Sequence, residues 1–368
     1  MTRHWGVTGG KLDNLRKQTP GPTRSELPQT SIREVARRAG VSVGTVSNVL
    51  NRPDLVAEAT RDRVRAAIQE LGFVRNESAR RLRQGPGRAG SDRRSAPPRP
   101  RAFGIVVEDL TNPYATDVAR GAELTLNEAG HDALWLSSDW SADKERRGLD
   151  LLVEHQAAGA LIVPIGLDAV GIERLRAAGV AVVLIDHAAP EMCSVQVDHV
   201  AGGDIAAAHL IERGRERLAF VTGRPQPLPV VERGEGAARS LAKAGGGELY
   251  TLTQEALSPT AGRAAAERLL ALSPVPDGVF CANDLLAIGL TNELLRRGVR
   301  VPEDVAVVGY DDIELASSSA VPLTTIRQPR LAVGEEAAEL ALAEYGEGES
   351  HLHRQVILTP ELIVREST

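Results

Sequence analysis

The residues best able to do chemistry in this chain are grouped rather than scattered. Near the amino end, Ser42-Val43-Gly44-Thr45-Val46-Ser47-Asn48 sets hydroxyls, a carboxamide and a valine at spacings that helical periodicity gathers on one face. A carboxamide offers a donor and an acceptor side by side, the pattern that pairs with the major-groove edge of adenine. A valine can pack on a thymine methyl. Gly44 adds only close backbone approach, and Thr45 and Ser47 suit base edges or phosphate oxygens alike. Residues 30–101 hold sixteen arginines and no lysine against seven carboxylates, whereas residues 102–368 hold 40 carboxylates against 22 cationic side chains. A basic segment beside an acidic body suits contact of one part with a polyanion. An arginine-rich solvated face would have the same composition, so charge alone does not choose.

Other chemistries find little support. Gly85-Pro86-Gly87-Arg88-Ala89-Gly90 satisfies GxGxxG, but it follows a helical pattern and opens no helix that could present amides to a pyrophosphate. His351 and His353 could chelate a metal, yet a strand-like run with both on a solvated face explains them as well. Cys193 and Cys281 have no ligand spacing and read as two buried free thiols. There is no Walker A motif, nucleophile elbow or HExxH, so the expectation is a non-enzyme without metal or cofactor. No apolar run approaches a membrane span, and the opening MTRHWGVTGGKLDN has no secretory apolar core. Together with two free thiols this predicts a cytoplasmic chain that does not engage membranes.

The elements that must position these residues are legible locally. Residues 1–29 lack periodicity and read as a mobile tail. Ser31-Ile32-Arg33-Glu34 is a capping-box sequence, followed by Ile32, Val35, Ala36 and Ala39 at helical spacing and by Gly40 as terminator. Ser42 caps a second helix from Val43 to about Leu50. A third, roughly Glu58–Leu71, carries Val64, Ala67, Ile68 and Leu71 on one face. Two helices across a tight glycine-containing turn, with a third as support, predict an all-α helix-turn-helix unit.

Ser31-Ile32-Arg33-Glu34-Val35-Ala36, Gly40 through Asn51, Thr60-Arg61 and Glu70-Leu71-Gly72-Phe73 resemble the DNA-binding domain of the lactose-repressor (LacI/GalR) family. Asn76-Glu77-Ser78-Ala79-Arg80-Arg81-Leu82 resembles that family's hinge helix, about 77–83. The resemblance covers residues 30–84 and implies double-stranded DNA as partner. It places Ser31, Ser42, Val43, Gly44, Thr45, Ser47, Asn48, Asn51, Thr60, Asn76 and Ala79 at the nucleic acid. Leu82 would be a wedge into a central base step of the minor groove. A wedge of this kind needs two hinge helices, so a homodimer on a pseudo-palindromic operator is expected, and the chain ends without a trailing heptad for tetramers.

Residues 85–101, with three Gly, four Pro and five Arg, read as a flexible basic linker. Beyond it, apolar strand-like runs such as Phe103–Val107 and Ala181–Ile185 alternate with amphipathic helices. Four helices close on Gly130, Gly179, Gly214 and Gly298. This is the rhythm of a doubly wound α/β sheet, with too many strands for one sheet, so two lobes with a cleft at the strand carboxyl ends are expected. Asp109-Leu110-Thr111-Asn112-Pro113-Tyr114, Cys281-Ala282-Asn283-Asp284, Gly309-Tyr310-Asp311-Asp312 and Leu323-Thr324-Thr325-Ile326 extend the resemblance over 102–368. It implies a periplasmic-binding-protein-like effector domain, with lobe one as 102–197 and 328–355 and lobe two as 198–327 and 356–368. It also puts Asp109, Asn112, Tyr114, Asp186, Arg233, Asn283 and Asp311 near a small-molecule effector, a sugar or related metabolite. Asn283 and Asp311 could equally serve as helix caps. Where relatives carry aromatic platforms this chain has Leu257 and Ala115, and Trp140 is the candidate substitute. The Arg224–Val231 stretch, with three prolines, reads as flexible. The function implied is a transcriptional regulator, a repressor under effector control. An activator answering to a protein partner, or a sugar enzyme with a basic appendage, are the alternatives.

Overall fold

The structure, a computed structural model, describes residues 31–71, 73, 102–224 and 226–368, which fall into two separate units, 31–73 and 102–368. The hinge segment (Asn76, Ala79, Leu82), the amino-terminal tail and the 85–101 linker lie outside the described residues.

In the first unit, α1 (Ile32–Ala39), α2 (Val43–Asn51) and α3 (Glu58–Glu70) surround a core of Val35, Ala36, Ala39, Val46, Val49, Val64 and Ala67. The capping box forms: the Ser31 hydroxyl accepts from the Glu34 amide, and the Glu34 carboxylate accepts from the Ser31 amide at 2.6 Å. Gly40 ends α1 at φ +65°, a left-handed conformation that costs glycine no Cβ clash. Ser42 then caps α2 by accepting from the Thr45 amide at 3.0 Å. A core of seven mostly small side chains leaves such a unit with modest stability, so the caps matter.

The second unit holds two six-stranded sheets. Lobe one runs β1 (Phe103–Val107), α4 (Pro113–Glu128), β2 (Ala133–Ser137), α5 (Ala142–Glu154), β3 (Gly159–Ile162), α6 (Ala169–Ala177), β4 (Ala181–Ile185) and β5 (Cys193–Val197). The chain then crosses into lobe two: α7 (His199–Glu212), β6 (Leu218–Gly223), α8 (Leu228–Lys243), β7 (Tyr250–Gln254), α9 (Pro259–Leu270), β8 (Gly278–Cys281), α10 (Asp284–Arg296), β9 (Ala306–Asp311), α11 (Glu314–Ser318) and β10 (Thr324–Arg327). It returns for α12 (Arg330–Glu347) and β11 (Gln355–Leu358), and ends in lobe two with β12 (Glu361–Ile363). The sheet orders are β11-β5-β4-β3-β1-β2 and β12-β10-β9-β8-β6-β7, parallel except for β12. Central strands such as β1, β4 and β9 are buried along their whole length, as strands covered by helices on both faces must be. Gly130, Gly179, Gly214 and Gly298 all take positive φ after their helices.

Two details differ from expectation. Gln355–Leu358 pairs in parallel with Ser194–Val197, so the returning segment of lobe one extends to Leu358 rather than 355, because hydrogen bonding to β5 continues through the strand. In the proline-containing stretch Arg224–Val231 the second half is helical: α8 starts at Leu228 with Pro229 in its first turn, where a missing amide costs nothing. α7 and α8 pack at unusually short range. A Cβ at Gly203 would lie 2.0 Å from the Arg233 carbonyl oxygen, and one at Gly236 2.0 Å from that of Val200. This glycine pair allows the close approach of α7 and α8 beside Arg233.

Candidate functional site: an interlobe cleft and a DNA-reading helix

The carboxyl ends of the strands of both lobes face one cavity of about 330 Å³. Its apolar wall includes Val163, Ile165, Ile185, Leu228, Val230 and Leu257, with Trp140 and Tyr114 as aromatic surfaces. Its polar groups are Glu108, Asn112, Asp186, Arg233, Asn283 and Asp311. Lobe one contributes Asp186, directly after β4, and Asn112, which caps α4 by accepting from the Tyr114 amide. Lobe two contributes Asp311 at the end of β9, Asn283 before α10 and Arg233 from α8. Trp140, Asp186 and Asp311 take φ of +58°, +54° and +113°. Non-glycine residues are held in such conformations only where the surroundings over-determine them, and here they cluster around the cavity.

A buried network orders the cleft floor. His199 Nε2 lies 3.3 Å from Asp186 Oδ1, His199 Nδ1 lies 3.1 Å from the Tyr310 hydroxyl, and Arg233 Nε donates to Nδ1 at 3.4 Å. Since arginine can only donate, Nδ1 must accept, and Nε2 carries the proton that goes to Asp186. One neutral tautomer therefore satisfies all three contacts. Burial lowers the His199 pKa against the pull of Asp186, in keeping with that neutral ring. For Asp186, burial pushes upward, but His199 and then Arg233 hold its carboxyl below the usual range. The pair thus carries one negative charge. Arg233, only 6 % exposed, also donates from Nη1 to the Ala282 carbonyl at 2.6 Å and stacks with Cζ 3.8 Å from the Tyr310 ring centroid. The guanidinium is thus anchored by His199, Ala282 and Tyr310 where it lines the cavity. Burial raises the Asp311 carboxyl, and burial together with the charges of Asp186 and Asp311 raises Glu108 to about 7. A cleft of this kind favours ligands that donate hydrogen bonds to carboxylates and accept one from a guanidinium.

The cavity is lined by seven of the eight residues that the sequence pointed to: Asn112, Tyr114, Trp140, Asp186, Arg233, Asn283 and Asp311. Asp109 is not among them. Its carboxylate turns back to accept from the Thr111 amide at 2.8 Å and from the Thr111 hydroxyl, which closes the loop before α4. Asn283 both caps and lines: its Oδ1 accepts from the Leu286 amide at 2.9 Å while Nδ2 donates to the Leu257 carbonyl. Asp311 caps no helix, because its carboxylate is engaged by Gln328 Nε2 at 2.7 Å. Ala115 is buried in lobe one and offers no platform. The Tyr114 hydroxyl is buried and unpartnered among the described residues. Outside the cleft, Cys193 and Cys281 are buried free thiols. His351, however, is not on a solvated face: its side chain is 4 % exposed, because the turn after α12 folds it over the start of β5.

In the first unit the outward side of α2 carries Val43, Gly44 and Asn48, all exposed, while Val46 and Val49 are buried. Thr45 and Ser47 are half-buried. The Thr45 hydroxyl lies 2.9 Å from that of Ser42, and Ser31 caps α1. Thr60 is half-buried in the first turn of α3. Asn51 ends α2, and its side chain lies outside what the structure describes. Val43 stays 39 % exposed at the front of the helix.

Residues 31–76 match the bacterial regulatory proteins of the lacI family, and residues 207–368 match the periplasmic binding protein-like domain. The chain is 31% identical to the HTH-type transcriptional repressor PurR of Photobacterium profundum over 345 residues, 92% of this chain and 98% of the relative. It belongs to the LacI family. A second LacI-family relative, the ribose operon repressor of Bacillus subtilis, is 34% identical over 85% of this chain and 90% of its own length. Among solved structures, a transcriptional regulator CelR–cellobiose complex is 30% identical, with a TM-score of 0.66 over 92% of this chain and all of that one. As a LacI-family member the chain is a DNA-binding transcriptional regulator with a helix-turn-helix unit and a two-sheet α/β domain. No helix among the described residues is long and apolar enough to cross a membrane.

Several supporting groups in the cleft of this LacI-family chain went unmarked in its sequence. Glu108, His199 and Gln328 line or support the cleft without belonging to a local motif, and Tyr310 does so from within one. The available signal was positional: Glu108 directly follows β1, and Tyr310 sits inside Gly309-Tyr310-Asp311-Asp312.

Proposed function

We propose that this chain is a ligand-responsive repressor that acts as a homodimer in the cytoplasm, on a pseudo-palindromic operator, and performs no catalysis. In this reading α2 enters the major groove, with Asn48, Val43 and Gly44 at base edges and Ser42, Thr45 and Ser47 toward phosphates. Leu82, outside the described residues, serves as the minor-groove wedge. The effector is a small hydroxylated metabolite, a sugar or a relative of one, seated against Trp140 and held by Asp186, Arg233, Asn283 and Asp311. The observation that carries this is the convergence of carboxylates, a carboxamide and a guanidinium on one partly apolar cavity of about 330 Å³. The ribose and cellobiose in the names of two relatives support the ligand class.

The cleft also supports a route from ligand to lobe position. Asp186 belongs to lobe one, whereas Arg233, Asn283 and Asp311 belong to lobe two, so one ligand bonded to both sets favours one interlobe angle. Arg330, at the crossover into α12, already spans the lobes: it pairs with Asp117 of α4 and donates to the Asp312 carbonyl at 2.7 Å. The test is operator binding by fluorescence anisotropy, with the chain's own promoter region and a panel of sugars, sugar acids and nucleobases. A hydroxylated metabolite should shift operator affinity by the 5- to 150-fold typical of coupled sites. Operator binding that no metabolite alters, with thermal shifts only from a protein partner, would overturn the effector reading.

A further inference from the structure

At the edge of lobe one where its strands begin, opposite the ligand cleft, four side chains from three separate segments converge. Cys193 opens β5, Glu344 lies in the last turn of α12, and His351 and His353 lie in the turn that leads to β11. One ligand atom from each lies within 4.8 Å of every other. Cys193 Sγ is 3.1 Å from His351 Nε2 and 3.7 Å from His353 Nδ1. A tetrahedral zinc with Zn–S of about 2.3 Å and Zn–N of about 2.0–2.1 Å separates its sulfur and nitrogen ligands by about 3.6 Å, so the two spacings bracket what such a centre requires.

The surroundings match a metal centre as well. His351 Nδ1 lies 2.7 Å from the Glu347 carboxylate, which fixes its proton on Nδ1 and turns the Nε2 lone pair toward the sulfur. That carboxylate–imidazole pair is the usual support of a metal-bound histidine. The Arg354 amide donates to Cys193 Sγ at 3.5 Å, a bond that stabilises a thiolate. Glu344 Oε1 accepts from the Val182 amide at 3.4 Å, while its Oε2 is buried without a partner among the described residues. An orphaned buried carboxylate oxygen is costly unless a cation or a donor meets it. A surface cleft lined by Gly179, Glu344, His351 and His353 gives an ion access. One contact opposes the arrangement: Arg176 Nη2 lies 2.8 Å from His353 Nε2, and so places that ring's proton on Nδ1. Metal capture moves this proton to Nε2 and turns Arg176 toward solvent, which makes His353 the weakest of the four ligands.

We propose that Cys193, Glu344, His351 and His353 form a tetrahedral site for a divalent transition metal, zinc by preference, that staples the end of α12 to the start of β5. One sulfur, two imidazole nitrogens and one carboxylate oxygen select zinc over calcium or magnesium, which prefer all-oxygen sites. Binding releases the Cys193 thiol proton to solvent, and thiolate and carboxylate together neutralise the ion.

The full-length protein, stripped with chelator, is titrated with Co²⁺ and then with Zn²⁺. One equivalent of Co²⁺ should give strong tetrahedral visible bands and a near-ultraviolet thiolate-to-cobalt band, both abolished by Zn²⁺. Cys193→Ser should lose the thiolate band, and Cys281→Ser, which alters the other buried thiol, should keep it. His353 is exposed, so His353→Ala keeps the fold, and it should weaken Co²⁺ at least tenfold. Zn²⁺ should raise the melting temperature of the wild-type protein but not of Cys193→Ser. A pale octahedral spectrum with no thiolate band in the wild type would reduce the cluster to a thiol–imidazole hydrogen bond and overturn the proposal. A thiolate band that survives Cys193→Ser would do the same.

Discussion

Replacing Arg233 with alanine tests the cleft network most directly. The guanidinium makes a 2.6 Å bond to the Ala282 carbonyl, bonds His199 Nδ1 and stacks on Tyr310. A hydrogen bond from a charged group contributes about 1.5–3 kcal/mol, and a desolvated cation–π contact about 1–2 kcal/mol. Asp186 and Asp311 also lose a nearby cation, which protonation of Asp311 partly offsets because burial already raises its carboxyl. The net expectation is about 2–4 kcal/mol, a fall of about 5–12 °C in the melting temperature of the second unit by calorimetry. Effector affinity should fall at least tenfold, because the ligand loses a charged donor and the carboxylates it faces lose their balance. Operator affinity without effector should stay within about twofold of wild type, since α2 belongs to a unit with its own core. Unchanged melting together with an unchanged effector response would refute the reasoning.

Five further outcomes follow from the structure and the proposed function. Glu108 is raised to about 7, so its folded form holds a proton that the unfolded chain has released between about pH 4.5 and 7, and its contribution to stability falls as pH rises through that window. Relative to Glu108→Gln, the wild type should lose about 1–2 kcal/mol from pH 5 to 7.5, a figure discounted because Glu108 is only half-buried; the difference between variants removes the opposite slope of buried His199, and parallel denaturation curves would count against it. Gly236→Ala puts a Cβ against the Val200 carbonyl and should cost about 1–3 kcal/mol with weakened effector binding, whereas a neutral result would mean that α7 and α8 separate freely. Ser42→Ala removes the α2 cap at about 1 kcal/mol, and Asn48→Ala should relax operator preference at one base pair without changing the melt; a binding-site selection with an unaltered profile would exclude Asn48 from base contact. Leu82→Ala should weaken operator binding by about 1–3 kcal/mol and abolish most bending, as read by circular-permutation gel.

The first unit was legible almost residue by residue, because its signals are local. Ser31 with Glu34, Gly40 and Ser42 act through backbone groups within four positions, and the helical spacing of Val35 with Ala39, Val46 with Val49 and Val64 with Ala67 marks a core whatever surrounds it. The βαβ alternation and the four terminating glycines are local in the same sense. Most of the cleft was legible through motif order, since ligand-facing residues in such folds follow directly on strands. Asp109 lies off the cavity wall, which Glu108, one residue earlier, occupies, because the turn around Thr111 engages the Asp109 carboxylate. The tautomer of His199, the raised carboxyls of Glu108 and Asp311 and the register of β11 required the packed structure, because burial and pairing with distant segments create them. The same holds for Cys193 with His351, residues 158 positions apart that no spacing rule connects. Sequence alone settled what depends on the backbone's own short-range hydrogen bonds and periodicity. Tertiary structure settled which distant polar groups share a volume without water, and there the energy of a charge depends on everything packed around it.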